Sequence, residues 1–150
     1  MQEIVCKNEE QTMNIASKLA SQLKKGDVVI LTGELGAGKT KFVEGVLSYF
    51  NIQDEISSPT FTIVNEYYAN DVNIYHFDLY RLEEPEEFEA IGGFEYFEKG
   101  ISILEWGELI EEILPDDYIK ITFEKDDQDV DVRKLKIDCF GERYKNFKIN

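Results

Sequence analysis

Val28-Val29-Ile30-Leu31-Thr32-Gly33-Glu34-Leu35-Gly36-Ala37-Gly38-Lys39-Thr40 decides the fold. Its first four residues are continuously apolar, the pattern of a short strand buried on both faces. From Gly33 the stretch matches the Walker A pattern, two glycines five apart followed by Lys and Thr. Beyond Lys39, the residues Phe42, Val43, Val46, Leu47 and Phe50 recur at helical spacing to near Asn51. Strand, glycine turn and helix in that order are the context a phosphate-binding loop needs. Background residue frequencies give a chance match below about 1% for a chain of this length.

Each residue type has a task. The glycines permit backbone angles closed to other residues and let successive amides turn inward as an anion nest. The helix starting near Lys39 points its unpaired N–H groups and positive dipole end at the same place. Lys39 supplies a point charge for β- and γ-phosphates, and the Thr40 hydroxyl is a ligand for Mg2+.

Upstream, Glu3 to Lys7 reads as a strand. Asn8-Glu9-Glu10-Gln11 has capping-box spacing and opens a helix carrying Thr12, Ile15, Ala16, Leu19, Ala20 and Leu23, closed by Lys24-Lys25-Gly26-Asp27. Downstream, Ser57-Ser58-Pro59-Thr60 is a loop one helix after the glycine turn, where a γ-phosphate-sensing segment falls; an ordinary connector is the alternative. Ile63 to Tyr68 and Asn73 to Tyr80 read as strands joined through Ala69-Asn70-Asp71. A short acidic helix spans Glu84 to Ile91, and a second is expected over Phe94 to Glu98. Ile101-Ser102-Ile103-Leu104 is another buried strand, followed by a helix through Leu109, Ile110 and Ile113. Tyr118 to Phe123 and Val132 to Phe140 alternate as a terminal antiparallel pair. Residues 1–150 therefore read as one α/β domain with a mixed parallel and antiparallel central sheet flanked by helices.

A metal-bound phosphate site needs carboxylates, and two stand out. Asp78 follows Asn73-Ile74-Tyr75-His76-Phe77, with His76, Asp78 and Tyr80 on one face of an extended chain. Glu105 ends the apolar strand, where phosphate-binding-loop enzymes usually carry an acidic residue. The sequence leaves open which of them touches the metal. A salt bridge of Asp78 with Arg81, or a helix-start role for Glu105, are the plainer readings. His76, the only histidine, reads first as a packed, hydrogen-bonded strand residue. Trp106, the only tryptophan, suits core packing and stacking beside a nucleotide equally well.

The 31 acidic residues against 16 Lys plus Arg give a net charge of −15 and a pI near 4.4. That disfavours a chain gripping RNA or DNA by itself, because such binding draws most of its affinity from neutralising phosphates. The acid is concentrated between Glu83 and Asp117, where Lys99 is the only cation. Solvated helix faces account for this, and a docking surface for a basic partner is the sharper alternative. Cys6 and Cys139 each sit in an apolar alternating run and are expected as two buried free thiols. The first residues show no secretory pattern, no run is long enough to span a membrane, and a reducing cytoplasm is the expected setting.

Gly33 to Thr40, Ser58-Pro59-Thr60-Phe61-Thr62, His76-Phe77-Asp78-Leu79-Tyr80-Arg81-Leu82 and Leu104-Glu105-Trp106-Gly107-Glu108 together resemble the bacterial TsaE family, formerly called YjeE, in order, spacing and chain length. The resemblance implies a small P-loop ATPase, using ATP and Mg2+, needed to make threonylcarbamoyladenosine in tRNA. It implies an auxiliary role on a complex of the TsaB and TsaD proteins, with tRNA met only indirectly. It further implies a nucleotide-binding set of Glu34, Leu35, Gly36, Ala37, Gly38, Lys39, Thr40, Lys41, Thr60, Trp106 and Arg133. Catalytic roles fall on Lys39, Asp78 and Glu105, and metal roles on Thr40, Asp78 and Glu105. Thr12 in the first helix is a further pocket candidate. The family often has Pro or Ser where this chain has Gly107. A small-molecule kinase built on the same loop is the alternative, disfavoured because only Arg81, Arg133 and Arg143 are available to clamp transferring phosphates. The absence of Asn-Lys-x-Asp gives mild support to adenine over guanine.

Overall fold

The computed structural model describes residues 1–34, 36–52, 63–69 and 71–149. Along the chain run β1 (Gln2–Cys6), α1 (Glu9–Ala20), β2 (Val28–Gly33), α2 (Lys39–Tyr49), β3 (Val64–Ala69), β4 (Val72–Asp78), α3 (Glu86–Ala90), α4 (Gly93–Phe97), β5 (Ile101–Glu105), β6 (Tyr118–Lys125) and β7 (Arg133–Phe140). A 3₁₀ segment, Gly107–Ile113, follows β5. The seven strands form one sheet in the order β1-β7-β6-β2-β5-β4-β3. Strands β6, β2, β5 and β4 are mutually parallel, and antiparallel pairs close both edges. The mixed α/β architecture expected from the alternation of periods is the one observed.

β2 explains the layering. Val29 and Leu31 join one apolar cluster with Leu19, Phe42 and Val46 from α1 and α2, while Val28 and Ile30 join a second with Phe77, Phe88 and Leu104. A strand buried on both faces must be apolar at every position, which is why the run at Val28 to Leu31 shows no alternation. Each such fully buried side chain contributes roughly 1.5–3 kcal/mol. α1 begins where the Asn8 side chain accepts from the Gln11 amide at 2.9 Å, and the Gln11 side chain accepts in return from the Lys7 amide at 2.8 Å. These bonds satisfy amides that a helix start leaves without partners.

α1 and α2 cross at Gly45, where an added Cβ would come within 2.7 Å of the Met13 carbonyl oxygen and 2.8 Å of Ala16 Cβ. In an exposed helix Gly→Ala gains about 1 kcal/mol. Here Gly45→Ala is expected to destabilise by about 1–3 kcal/mol through overpacking, read as a lower urea midpoint; a raised midpoint would contradict this packing.

Several boundaries differ from expectation. α1 stops at Ala20, with the Ser21 and Gln22 amides donating to Ser17 and Leu19 carbonyls, so Leu23 packs from a turn instead of the helix. β4 ends at Asp78, although the next amide, that of Leu79, still donates to the Glu105 carbonyl at 3.0 Å. Tyr80 thus leaves the strand and is exposed, while His76 is buried, so the three do not form one strand face. The acidic helix is shorter than expected, Glu86–Ala90, and α4 spans Gly93–Phe97. The helix expected after Trp106 is 3₁₀ throughout. Cys6 is buried but Cys139 is exposed, correcting the expectation of two buried thiols. Cys139 keeps the parity of Leu135 and Ile137, yet pairing with β1 ends at Gln2–Ile137, so the cover runs out before it. Most of the acidic stretch is solvated: Glu83, Glu84, Glu86, Glu87, Glu89, Glu95 and Glu98 are all exposed. Among the described residues, no helix is long and apolar enough to cross a membrane.

Candidate functional site

The parallel strands β2, β5 and β4 end at Gly33, Glu105 and Asp78, and their carboxyl ends lie at one edge of the sheet. Open α/β sheets bind ligands outside that edge. The glycine loop leaves β2 with φ of 142° at Gly33, 78° at Gly36 and 103° at Gly38, and Gly38 caps α2 in the left-handed region. An Ala37 amide donating to the Glu34 carbonyl at 3.1 Å tightens the turn.

A cleft of about 280 Å3 opens there, lined by Glu9, Gly36, Gly38, Lys39, Thr40, Lys41, Asp78, Glu105 and Trp106. Lys39 is 4% exposed. Its Nζ donates to the Gly33 carbonyl at 2.8 Å and lies 3.8 Å from the centre of the Trp106 ring, a cation–π contact. Burial lowers the Lys39 pKa, and the negative charges of Glu105, Glu108 and Asp78 oppose that shift only in part. A desolvated ammonium facing an open cleft is suited to meet an anion.

Asp78 and Glu105 are register partners on adjacent parallel strands. Asp78 Oδ1 accepts from the Tyr80 amide at 3.1 Å, and Glu105 Oε2 lies 2.5 Å from His76 Nε2. His76 is therefore the hydrogen-bonded strand histidine expected of it. Trp106 sits at φ 61°, strained for a large side chain, and is held by its amide donating to the Leu31 carbonyl at 3.0 Å and by a tilted contact with Tyr80 at 5.0 Å. Gly107 behind it is packed so closely that a Cβ would approach Ile30 Cβ to 2.4 Å, so a residue with a side chain would require this turn to shift.

Arg133 comes from the far side of the sheet yet reaches the loop: its guanidinium donates to the Gly36 carbonyl at 3.2 Å and to the carbonyls of Val130 and Val132 at 2.6 and 2.9 Å. An adjoining cavity of about 490 Å3 is bounded by Asn8, Glu9, Glu10, Thr12, Gly36, Gly38, Lys41, Val130, Asp131 and Arg133. Lys41 borders both spaces and pairs with Glu44 at 3.2 Å and Glu9 at 3.8 Å. Ala37 is wholly buried. Glu34 points away, its carboxylate 4.0 Å from Lys125. Leu35 and the Ser57 to Thr60 loop, with the candidate Thr60, lie outside the described residues.

Sequence reasoning assigned nothing to Glu108, whose Oε2 accepts from the Thr32 hydroxyl at 2.5 Å while Oε1 is buried with no partner among the described residues. Its place in Leu104-Glu105-Trp106-Gly107-Glu108, directly after the end of the apolar strand, was the available signal. Asn8, Glu9, Glu10, Val130 and Asp131 had no local signal, because the strand order alone brings them to the loop.

The oxygen donors Thr40, Asp78 and Glu105 suit a hard cation such as Mg2+. Among the described residues no three His, Cys, Asp or Glu side chains cluster closely enough to hold a metal by themselves.

The sheet, glycine loop and cleft define a domain of the P-loop class. A family model described as threonylcarbamoyl adenosine biosynthesis protein TsaE matches residues 6–135. The chain is 41% identical over 138 residues to the tRNA threonylcarbamoyladenosine biosynthesis protein TsaE of Bacillus subtilis, covering 91% of this chain and 85% of that protein. It is 41% identical over 118 residues to the Rickettsia conorii protein of the same name, covering 78% and 67%. The crystal structure of Bacillus subtilis YdiB superposes with a TM-score of 0.81 at 35% identity, covering 95% of this chain and 88% of that one. The chain belongs to the TsaE family of threonylcarbamoyl adenosine biosynthesis proteins.

Proposed function

We propose that the chain binds ATP with Mg2+ in the cleft at Lys39, hydrolyses it slowly, and by doing so acts on a TsaB–TsaD complex that forms threonylcarbamoyladenosine in tRNA. The observation that carries the reading is the convergence of Lys39, Thr40, Asp78 and Glu105 on one cleft at the carboxyl ends of three strands. Bound Mg-ATP supplies the scissile phosphoanhydride bond and a cation that offsets its charge. The loop amides and the α2 start hold phosphate oxygens, and Lys39 offers them a charge already oriented by Gly33 and Trp106. Thr40 and Asp78 hold the metal, and Glu105, with one oxygen engaged by His76, orients the attacking water. Family membership supports the pathway, and the net charge of −15 suits a protein that meets tRNA through a partner.

A small-molecule kinase draws less support. Arg143 bonds Asp27 at 2.7 Å and Arg133 bonds backbone carbonyls, so neither is set to clamp a transferring phosphate. Steady-state hydrolysis by the purified chain tests the reading: turnover is expected to be slow alone and faster with TsaB and TsaD. Brisk hydrolysis indifferent to those proteins, or ADP release coupled to a phosphorylated metabolite, would contradict it.

A further inference from the structure

Behind Glu105 stands His76, whose contact with one carboxylate oxygen bears on more than packing. His76 is the only histidine of the chain, lies in the interior of β4 and is 0% exposed. The parallel register sets His76 beside Ile103 and Asp78 beside Glu105, so these four side chains share one face of the sheet. Glu105 turns back along the diagonal, bringing Oε2 to 2.5 Å from His76 Nε2. His76 Nδ1 is also buried and has no partner among the described residues.

The two nitrogens fix the tautomer. An ionised carboxylate only accepts, so the hydrogen belongs on Nε2. Nδ1 is then a buried acceptor with no partner among the described residues, while the N–H on Nε2 is satisfied by Glu105. A carboxylate in the wall of a cleft can turn about its last torsion unless a partner holds it, and chemistry in a site is sensitive to that freedom. A misplacement of about 1 Å can cost on the order of a hundredfold in rate.

We propose that His76 is a positioning residue for hydrolysis: its Nε2–H holds one oxygen of Glu105 and thereby sets the orientation of the carboxylate that lines the Lys39 cleft. The inference rests on the assignment of Glu105 to the attacking water. A histidine that only filled space would be replaceable by any side chain of similar volume, whereas a donor at Nε2 demands reach.

Two substitutions separate these roles. In His76→Gln the amide nitrogen extends about as far from the backbone as Nε2, while in His76→Asn it ends near the place of Nδ1, short of Glu105. Measured with the TsaB–TsaD complex, kcat is expected to stay within a few-fold for His76→Gln and to fall by at least about tenfold for His76→Asn, with the ATP dissociation constant unchanged in both. Equal kcat in the two variants would overturn the proposal. Because there is a single histidine, nitrogen-15 labelling of histidine in the unaltered chain gives one ring, free of assignment ambiguity and of any folding defect. The expected result is a protonated Nε2 and a bare Nδ1, with the Nε2 proton far downfield and moving upfield in Glu105→Gln. A protonated Nδ1 with bare Nε2 would overturn it. Loss of hydrolysis in Glu105→Gln, with both His76 variants as active as the unaltered chain, removes the positioning role alone. Unimpaired hydrolysis in Glu105→Gln removes the reading of Glu105, and this inference with it.

Discussion

Replacing Lys39 with Ala is expected to weaken ATP binding by at least about a hundredfold, since a charge-assisted phosphate contact of this kind is worth on the order of a few kcal/mol. The side chain is buried in the wall of the cleft, its Nζ 2.8 Å from the Gly33 carbonyl oxygen and 3.8 Å from the centre of the Trp106 ring. Three carboxylates, Glu105, Glu108 and Asp78, act on that ammonium electrostatically. Removing it leaves their negative charge facing the triphosphate without the opposing charge of Lys39, so the loss combines an absent contact with added repulsion. Folding should survive, because burial already disfavours the charged form of Lys39. Calorimetric titration with Mg-ATP checks both points; an unchanged dissociation constant would show that the cleft does not bind phosphate as described.

Glu105→Gln carries the second large effect. The substitution preserves size and the ability to meet His76, but removes the charge that attracts and orients water. Hydrolysis is expected to fall by about 10²–10⁴-fold, the usual worth of a positioned acid or base, with ATP affinity kept within a few-fold. Single-turnover hydrolysis beside equilibrium binding separates the outcomes. If both fall together, Glu105 chiefly holds the metal. If modification cycles continue unimpaired while hydrolysis is abolished, nucleotide occupancy alone is the signal. Arrest after one cycle would make hydrolysis the step that resets the partner complex.

The legible part of this molecule was the part specified locally. The glycine loop, the buried strand before it and the amphipathic helix after it are written within the stretch from Val28 to Phe50, and each depends on neighbours no more than a few residues away. Glu105 was legible for a related reason: an acid ending a fully apolar strand must emerge at the sheet's edge. The rest depends on distant pairing. Nothing near β6 states that it lies parallel to β2, with β7 and β1 outside it, yet that order carries Arg133, Val130 and Asp131 to the glycine loop. The 3₁₀ segment after Trp106 was read as an ordinary helix because both periods place Leu109, Ile110 and Ile113 on a similar stripe. Tertiary packing chose between them: the left-handed turn at Trp106 and the contact of Gly107 with Ile30 fix the direction in which the chain leaves β5.

Trp106 connects these observations to function. It is strained at φ 61°, joined by backbone to β2 and by ring to Lys39 and Tyr80. Strain of this kind, of order 1–3 kcal/mol, persists only where surrounding contacts over-determine it. Here those contacts join the strand ends that carry the acidic pair to the lysine of the loop. The cleft is thus assembled as one unit.

Steady-state ATP hydrolysis by the chain, with and without a TsaB–TsaD complex, beside Lys39→Ala, tests the central claim most directly. Stimulation by the complex that disappears in Lys39→Ala is the expected result. Turnover unmoved by the complex, despite intact ATP binding, would contradict the account and point to a different P-loop activity.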